Sequence, residues 1–348
     1  MILLYIAITL GAIIAAFAAY LLIVAVVPGF SAPEQRLEKT GQLDQDTDAR
    51  RSGSREDVIF EVKGTSLSAW LYLPEKRSTP VPCIIMGHGL GGTKDAGLEL
   101  YALRFQEAGF AVLAFDYRHL GDSGGEPRQL VWIPYQQEDY TAAVGYARGR
   151  DEIDPERIAL WGTSLSGGHV IVTAARDSKI ACVSAQCPLL DGRAASMVLL
   201  KKVGIGPALR MMPHGQRDLV RSWLGLSPHK IPIAGKPGSI ALLADWEAWD
   251  GFGKLAPVDF INEVCARIVI RLDKYRPLKQ AASVRCPVLL QVGEQDIGIT
   301  VSVIEKAERR LGQLAEVIRY PIGHFDIYQG ENFEKAVSDQ IAFFKKHL

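Results

Sequence analysis

The chain has 348 residues and a formal net charge of zero, with 39 basic and 39 acidic side chains; 48% of its residues are hydrophobic and 22% charged. That length supplies one large core plus an insertion, and the balanced charge, without a basic run, zinc-ligand spacing or phosphate loop, argues against nucleic acid as a main partner. Five scattered cysteines, Cys83, Cys182, Cys187, Cys265 and Cys286, are odd in number and lie mostly beside apolar runs, so they read as buried free thiols rather than a disulfide framework or a metal site.

The first 33 residues contain no Asp, Glu, Lys, Arg or His, and residues 2–27 are almost continuously apolar before Pro28-Gly29 breaks the run. As a helix this run spans about 39 Å at about 1.5 Å per residue, against a hydrocarbon core of about 30 Å. Residues 1–30 are therefore expected to form a transmembrane anchor. A cleaved signal peptide is the competing reading, but such peptides carry a positive amino-terminal region and a shorter apolar core, and this segment has neither. Arg36, Lys39, Arg50 and Arg51 follow the apolar run and no Lys or Arg precedes it. The positive-inside rule then puts the large domain in the cytoplasm, in keeping with the cysteine usage. Residues 31–56 are polar and charged and read as a linker.

From Asp57 onward the pattern changes. Residues 58–62 and 67–73 predict a hairpin around Gly64. Short apolar runs at 82–86 and 111–115 predict buried parallel strands, and 157–161, 181–186, 288–292 and 316–320 read as further strands. Helical spacing at 98–108, 135–147, 165–176, 301–311 and 332–347 alternates with them. The alternation predicts an α/β fold: a mostly parallel central sheet with helices on both faces. Residues 193–284 interrupt it. They contain Pro/Gly-rich stretches and Trp246, Trp249 and Phe252, and are expected to form an inserted helical cap over the C-terminal edge of the sheet, where ligands bind in such folds. The core is then 57–192 plus 285–348.

The chemistry concentrates at strand ends. Gly162-Thr163-Ser164-Leu165-Ser166-Gly167 lies between a strand and a helix, the context of a nucleophile elbow. The turn lifts the Ser164 hydroxyl off the sheet; Ser166 is the weaker second candidate and stands where the pattern has glycine. A serine needs a base to accept its proton, and His324, in the loop after the last strand, is the candidate. Asp296 would orient the imidazole. Glu294 is its local rival at the same strand end, and Asp191 a more distant alternative. Backbone N–H groups must meet the oxyanion: those of Leu90, in Gly87-His88-Gly89-Leu90-Gly91-Gly92, and of Leu165. His88 reads as structural. The missing Gly-Lys-Ser/Thr ending disfavours a phosphate cradle.

With these residues in view, positions 57–348 resemble the α/β-hydrolase superfamily, serine-nucleophile branch. The match rests on the 88–92 loop, the elbow, Asp116-Tyr117-Arg118-His119-Leu120-Gly121-Asp122-Ser123, and the acid and base segments in the order Ser, Asp, His. Within it the chain is most similar to dienelactone-hydrolase-like and serine-aminopeptidase-like bacterial hydrolases, which include esterases, thioesterases, peptidases and some acyl or polyketide transferases. Dienelactone hydrolases proper use a cysteine nucleophile and dehalogenases an aspartate, so neither activity carries over. The resemblance implies a serine hydrolase cleaving carboxylic esters or thioesters, with a small-molecule substrate and no metal or organic cofactor; the apolar first segment adds the expectation of a membrane tether and, with the apolar insertion, of a lipid-like substrate. An acyltransferase or peptidase with the same triad, and an idle membrane-tethered binding protein, are the alternatives.

Overall fold

The computed structural model describes residues 1–27, 32–37, 53–75, 80–257, 259–296, 298 and 300–348. The Pro28-Gly29 break and the basic residues Lys39, Arg50 and Arg51, on which the orientation expectation partly rests, lie outside them.

Helix α1 (Ile2–Val26) is the apolar segment. The hairpin follows as β1 (Gly53–Val62) and β2 (Thr65–Pro74), so the first strand begins four residues before the expected domain start at Asp57. Then come β3 (Val81–Gly87), α2 (Leu98–Glu107), β4 (Ala111–Phe115), α3 (Ile133–Arg148), β5 (Ile153–Thr163), α4 (Leu165–Arg176) and β6 (Cys182–Gln186). After an insertion the alternation resumes with β11 (Val288–Gly293), α8 (Val301–Leu311), β12 (Ala315–Tyr320) and α9 (Gly330–His347). The insertion itself holds α5 (Gly192–Val203), α6 (Ile205–Trp223), α7 (Trp246–Leu255) and the two-residue strands β7 (Lys230–Ile231), β8 (Ala234–Gly235), β9 (Leu243–Ala244) and β10 (Val264–Cys265).

Eight strands form one sheet in the order β1-β2-β4-β3-β5-β6-β11-β12. Only β2 runs against its neighbours; every pairing from β4 to β12 is parallel. Successive side chains point to opposite faces, and here both faces are dry. Ile85, Leu113 and Leu160 pack with α3, α4 and α8, whereas Ile84, Val112 and Trp161 pack with α2 and α9. That double burial is why these strands read as unbroken apolar runs.

The insertion is less purely helical than expected. Its last part, residues 266–283, is a series of 3₁₀ turns. Leu278, Ala281 and Val284 join the main core, and Arg310 on α8 donates to the Leu278 carbonyl at 2.7 Å. The end of this stretch, residues 277–283, packs against α4 and α8, in the helical layer beside the sheet. Part of the linker is also docked: the Gln35 carbonyl accepts from Asn262 Nδ2 at 2.8 Å.

The Asp116 to Ser123 loop is held by its own hydrogen bonds. Asp116 accepts from the backbone N–H and Nζ of buried Lys94, both at 2.7 Å, and from the Asp122 N–H at 3.0 Å. Ser123 donates to the Asp116 carbonyl and accepts from the Ser68 N–H. All five cysteines are buried free thiols.

Candidate active site

Ser164 caps α4 with φ 56° and ψ −117°, a conformation ordinary L-residues avoid. Such strain persists where the surroundings over-determine it, and they do. The Ser164 N–H donates to the Gln186 carbonyl of the neighbouring strand at 2.9 Å, and its carbonyl accepts from the Leu189 N–H at 2.8 Å. The strand and helix meet so tightly that a Cβ at Gly162 would fall 2.3 Å from the Ser166 carbonyl oxygen. Only glycine fits there.

Ser166, at the position where the pattern has glycine, is fully buried. Its hydroxyl donates to the His88 carbonyl at 2.5 Å and bonds to the Tyr117 hydroxyl. The departure from the pattern therefore ties the elbow to the glycine-rich loop, and it leaves Ser166 without access to a substrate. His88 is also buried, and its Nδ1 lies 3.0 Å from the Gly89 carbonyl. Burial holds its pKa below the usual histidine range. Gly89 passes beside the elbow: a Cβ there would sit 3.1 Å from Ser164 Cβ and 3.7 Å from its Oγ. Leu90 is the next residue. Leu165 is the first residue of α4, whose opening amides have no partner within the helix.

Asp296 and His324 come together across the ends of β11 and β12. Asp296 Oδ2 bonds to His324 Nδ1, and Oδ1 accepts from the Gly298 N–H at 2.7 Å. Both carboxylate oxygens are thus engaged in a buried setting. The rivals are placed elsewhere. Glu294 is exposed. Asp191 caps α5 through the Arg193 and Ala194 N–H groups and pairs with Arg276 at 2.8 Å.

The base loop is held from three sides. Thr163 Oγ1, next to Ser164, bonds to Tyr328 OH, and Tyr101 OH donates to the Ile327 carbonyl at 2.7 Å. From the insertion, Glu247 accepts the His324 backbone N–H. Phe325 packs against Phe252 with tilted rings 5.5 Å apart and leaves no room for a side chain at Gly251. Among the described residues Ser164 Oγ carries no hydrogen bond; catalytic hydrogen bonds commonly tighten only with substrate in place.

Electrostatics favour a charged imidazole. Burial pushes the His324 pKa down, but the nearby Asp296, Glu247 and Asp245 outweigh it and the net shift is upward. Burial raises the Glu247 carboxyl, helped by Asp296 and opposed by the His324 N–H. Cys187 Sγ joins an Asp296 oxygen and a His324 nitrogen within 4.8 Å of one another. Burial raises that thiol, so it is protonated, and the other two groups already bind each other. The donor set therefore suits a proton relay better than a metal ion.

Glu247 was not legible as a site residue in the sequence. The one signal was its setting between Trp246 and Trp249 in the insertion. Of the three aromatics singled out there, Trp249 and Phe252 are buried and Trp246 is exposed.

Residues 63–201 match the family of X-Pro dipeptidyl-peptidases of the S15 class, a stretch that includes the glycine-rich loop and the elbow. The chain is 40% identical over 293 residues to the quorum-quenching protein AidA of Acinetobacter baumannii, covering 83% of this chain and 94% of that one. It is 28% identical over 316 residues to the polyketide transferase ATR5 of Stachybotrys chlorohalonatus, covering 85% and 98%. Among solved structures, the α/β hydrolase GrgF from Penicillium superposes with a TM-score of 0.70 at 24% identity, over 84% of this chain and 99% of that one, a likeness of fold. With the elbow, the sheet order and these relatives in agreement, the chain belongs to the α/β-hydrolase superfamily and is an enzyme of that type.

Proposed function

We propose that the protein is a serine hydrolase that cleaves carboxylic esters through an acyl-enzyme on Ser164. The observation that carries this is the His324 imidazole, held at Nδ1 by buried Asp296 in a loop bonded to the residue beside Ser164. That hold fixes the tautomer with Nε2 free to accept a proton. In the proposed reaction Ser164 Oγ attacks the acyl carbon and its proton passes to His324 Nε2. The carbonyl oxygen becomes an anion facing the Leu90 and Leu165 N–H groups. The intermediate collapses, the C–O bond to the leaving group breaks, and His324 returns the proton to that oxygen. Water then attacks the acyl-enzyme with His324 again as base. None of these steps calls on a metal or an organic cofactor.

Transfer of the acyl group to an acceptor other than water is the second reading, favoured by the resemblance to a polyketide transferase. Both readings need the same nucleophile. A fluorophosphonate probe should label the wild-type protein and not Ser164→Ala, and the variant should lose hydrolysis of short p-nitrophenyl esters. A fully active Ser164→Ala protein rejects the assignment. Product analysis with competing alcohols or amines separates hydrolysis from transfer.

We also take α1 as a membrane anchor. Residues 4–26 have a mean hydropathy of 2.5 and none of the most apolar window is buried against the protein. A cytoplasmic catalytic domain follows from the basic flank after it. Protease digestion of that domain in intact cells would contradict the orientation.

A further inference from the structure

The hairpin of α5 and α6 has no place in the chemistry above, yet it is the most conspicuous apolar surface outside α1. Every described side chain from residue 199 to residue 210 is exposed. On α6, Ile205, Leu209 and Met212 are 65%, 63% and 45% exposed. Their spacing places them on one helical stripe. The opposite face, with His214 and Asp218, is buried against the fold.

Gln216 continues the same stripe by one more turn, and there it accepts a hydrogen bond from Tyr20 of α1 at 2.8 Å. The next turns fasten α6 to the end of α1. Arg217 Nη1 donates to the Val24 and Val27 carbonyls at 2.5 and 3.1 Å, and Arg221 Nη1 to the Ala25 carbonyl at 2.9 Å. A helix leaves its last carbonyls without internal partners, and these two guanidinium groups supply them. The apolar stripe is thus continuous with the base of an apolar helix that the protein itself leaves uncovered.

Charge points the same way. Residues 192–217 contain Arg193, Lys201, Lys202, Arg210 and Arg217 and no Asp or Glu. Apolar side chains interspersed with basic ones suit the boundary of an anionic bilayer, where the former enter the acyl region and the latter meet phosphates.

We propose that the α5–α6 hairpin lies in the surface of an anionic membrane beside α1, holding the catalytic domain in one orientation to the lipid. The inference rests on the reading of α1 as an anchor. Its consequence for the site is direct: α5 begins at Gly192, and Leu189, just before it, donates to the Ser164 carbonyl. The segment seated on lipid leads straight into the elbow, which favours substrates that arrive from the membrane rather than from bulk water.

The test uses the full chain carrying a single environment-sensitive fluorophore at Leu209→Cys, the native cysteines being buried. A second protein labelled at Glu308→Cys, on the exposed face of α8, serves as control. Each is reconstituted into vesicles with or without phosphatidylglycerol in phosphatidylcholine. The expected result is co-flotation of both proteins, with a blue shift and loss of iodide quenching at position 209 only. That protection should be greater with phosphatidylglycerol and should weaken when Lys201→Glu and Lys202→Glu are added. Failure to float overturns the anchor and the docking together. A protein that floats with position 209 as open to iodide as position 308 overturns the docking alone. Protection that persists in lipid-free detergent, together with a cross-linked dimer, assigns the face to a second copy and also overturns it.

Discussion

Glu247 offers the sharpest test of how the insertion serves the site. Its carboxylate accepts the His324 backbone N–H and adds a negative charge to the surroundings of the imidazole. Two substitutions separate these effects. Glu247→Gln keeps an oxygen that accepts the N–H but removes the charge. With less negative potential around it, the imidazole becomes easier to deprotonate. Because the reaction needs neutral His324, the acid limb of the kcat/KM profile should move to lower pH, with little change on the plateau. Glu247→Ala removes the acceptor as well. An unsatisfied, partly buried N–H costs about 1–3 kcal/mol. If that cost falls on the loop geometry, it lowers kcat/KM by about 5- to 150-fold. The assay is hydrolysis of a short p-nitrophenyl ester across the acid and neutral range. Stability responds with the opposite sign. A histidine whose folded pKa is raised stabilises the fold fully below its unfolded value, and that contribution fades as pH rises through the folded value. Removing Glu247 should therefore weaken the fold most at acid pH. An unshifted acid limb in the glutamine variant, combined with wild-type turnover in the alanine variant, would refute the coupling.

Other expectations follow from individual contacts. Asp296→Asn can no longer hold the imidazole in the required tautomer, so kcat should fall by about 10⁴ without loss of folding; a drop below tenfold would point to another acid. His169 is fully buried between Tyr275 OH and Gln136, and burial depresses its pKa to about 3. Its unfolded form takes up a proton near the ordinary histidine value, so stability should decline as pH falls from about 6.5 toward 3. His169→Gln should flatten that decline in denaturant titrations. Lys94→Met leaves Asp116 charged and buried without its cation, which should lower the unfolding free energy by about 3–5 kcal/mol. A loss under about 1 kcal/mol would show that Asp116 is satisfied by its backbone N–H partners alone.

Much of this molecule can be read along the chain. The expected bounds of β4, α4 and α8 coincide with those observed. Each lies close to a breaking residue: Gly109 and Asp116 around β4, Ser164 and Asp177 around α4, and Thr300 and Gly312 around α8. The order Ser164, Asp296, His324 is likewise a local matter, since each residue lies in the turn or loop that follows a strand legible in the sequence. Less was legible where a residue's partner is remote. Asp296 and Glu294 are two acids at one strand end, and nothing local separates them. The way the chain turns after β11 buries the first against His324 and exposes the second. Ser166 looked like an imperfect glycine until the His88 carbonyl and Tyr117 hydroxyl were brought around it.

Composition, periodicity and local motifs determined the fold class, the apolar first helix and the strand–turn–helix setting of Ser164, because these depend on which residues neighbour one another in sequence. Tertiary structure decided the rest. It placed Glu247, 77 residues before His324 in sequence, against the loop that carries His324, and it set the arginines of α6 on the last carbonyls of α1. Hydrogen bonds between distant segments depend on how close the folded backbone brings them, and no local pattern of side chains encodes that distance.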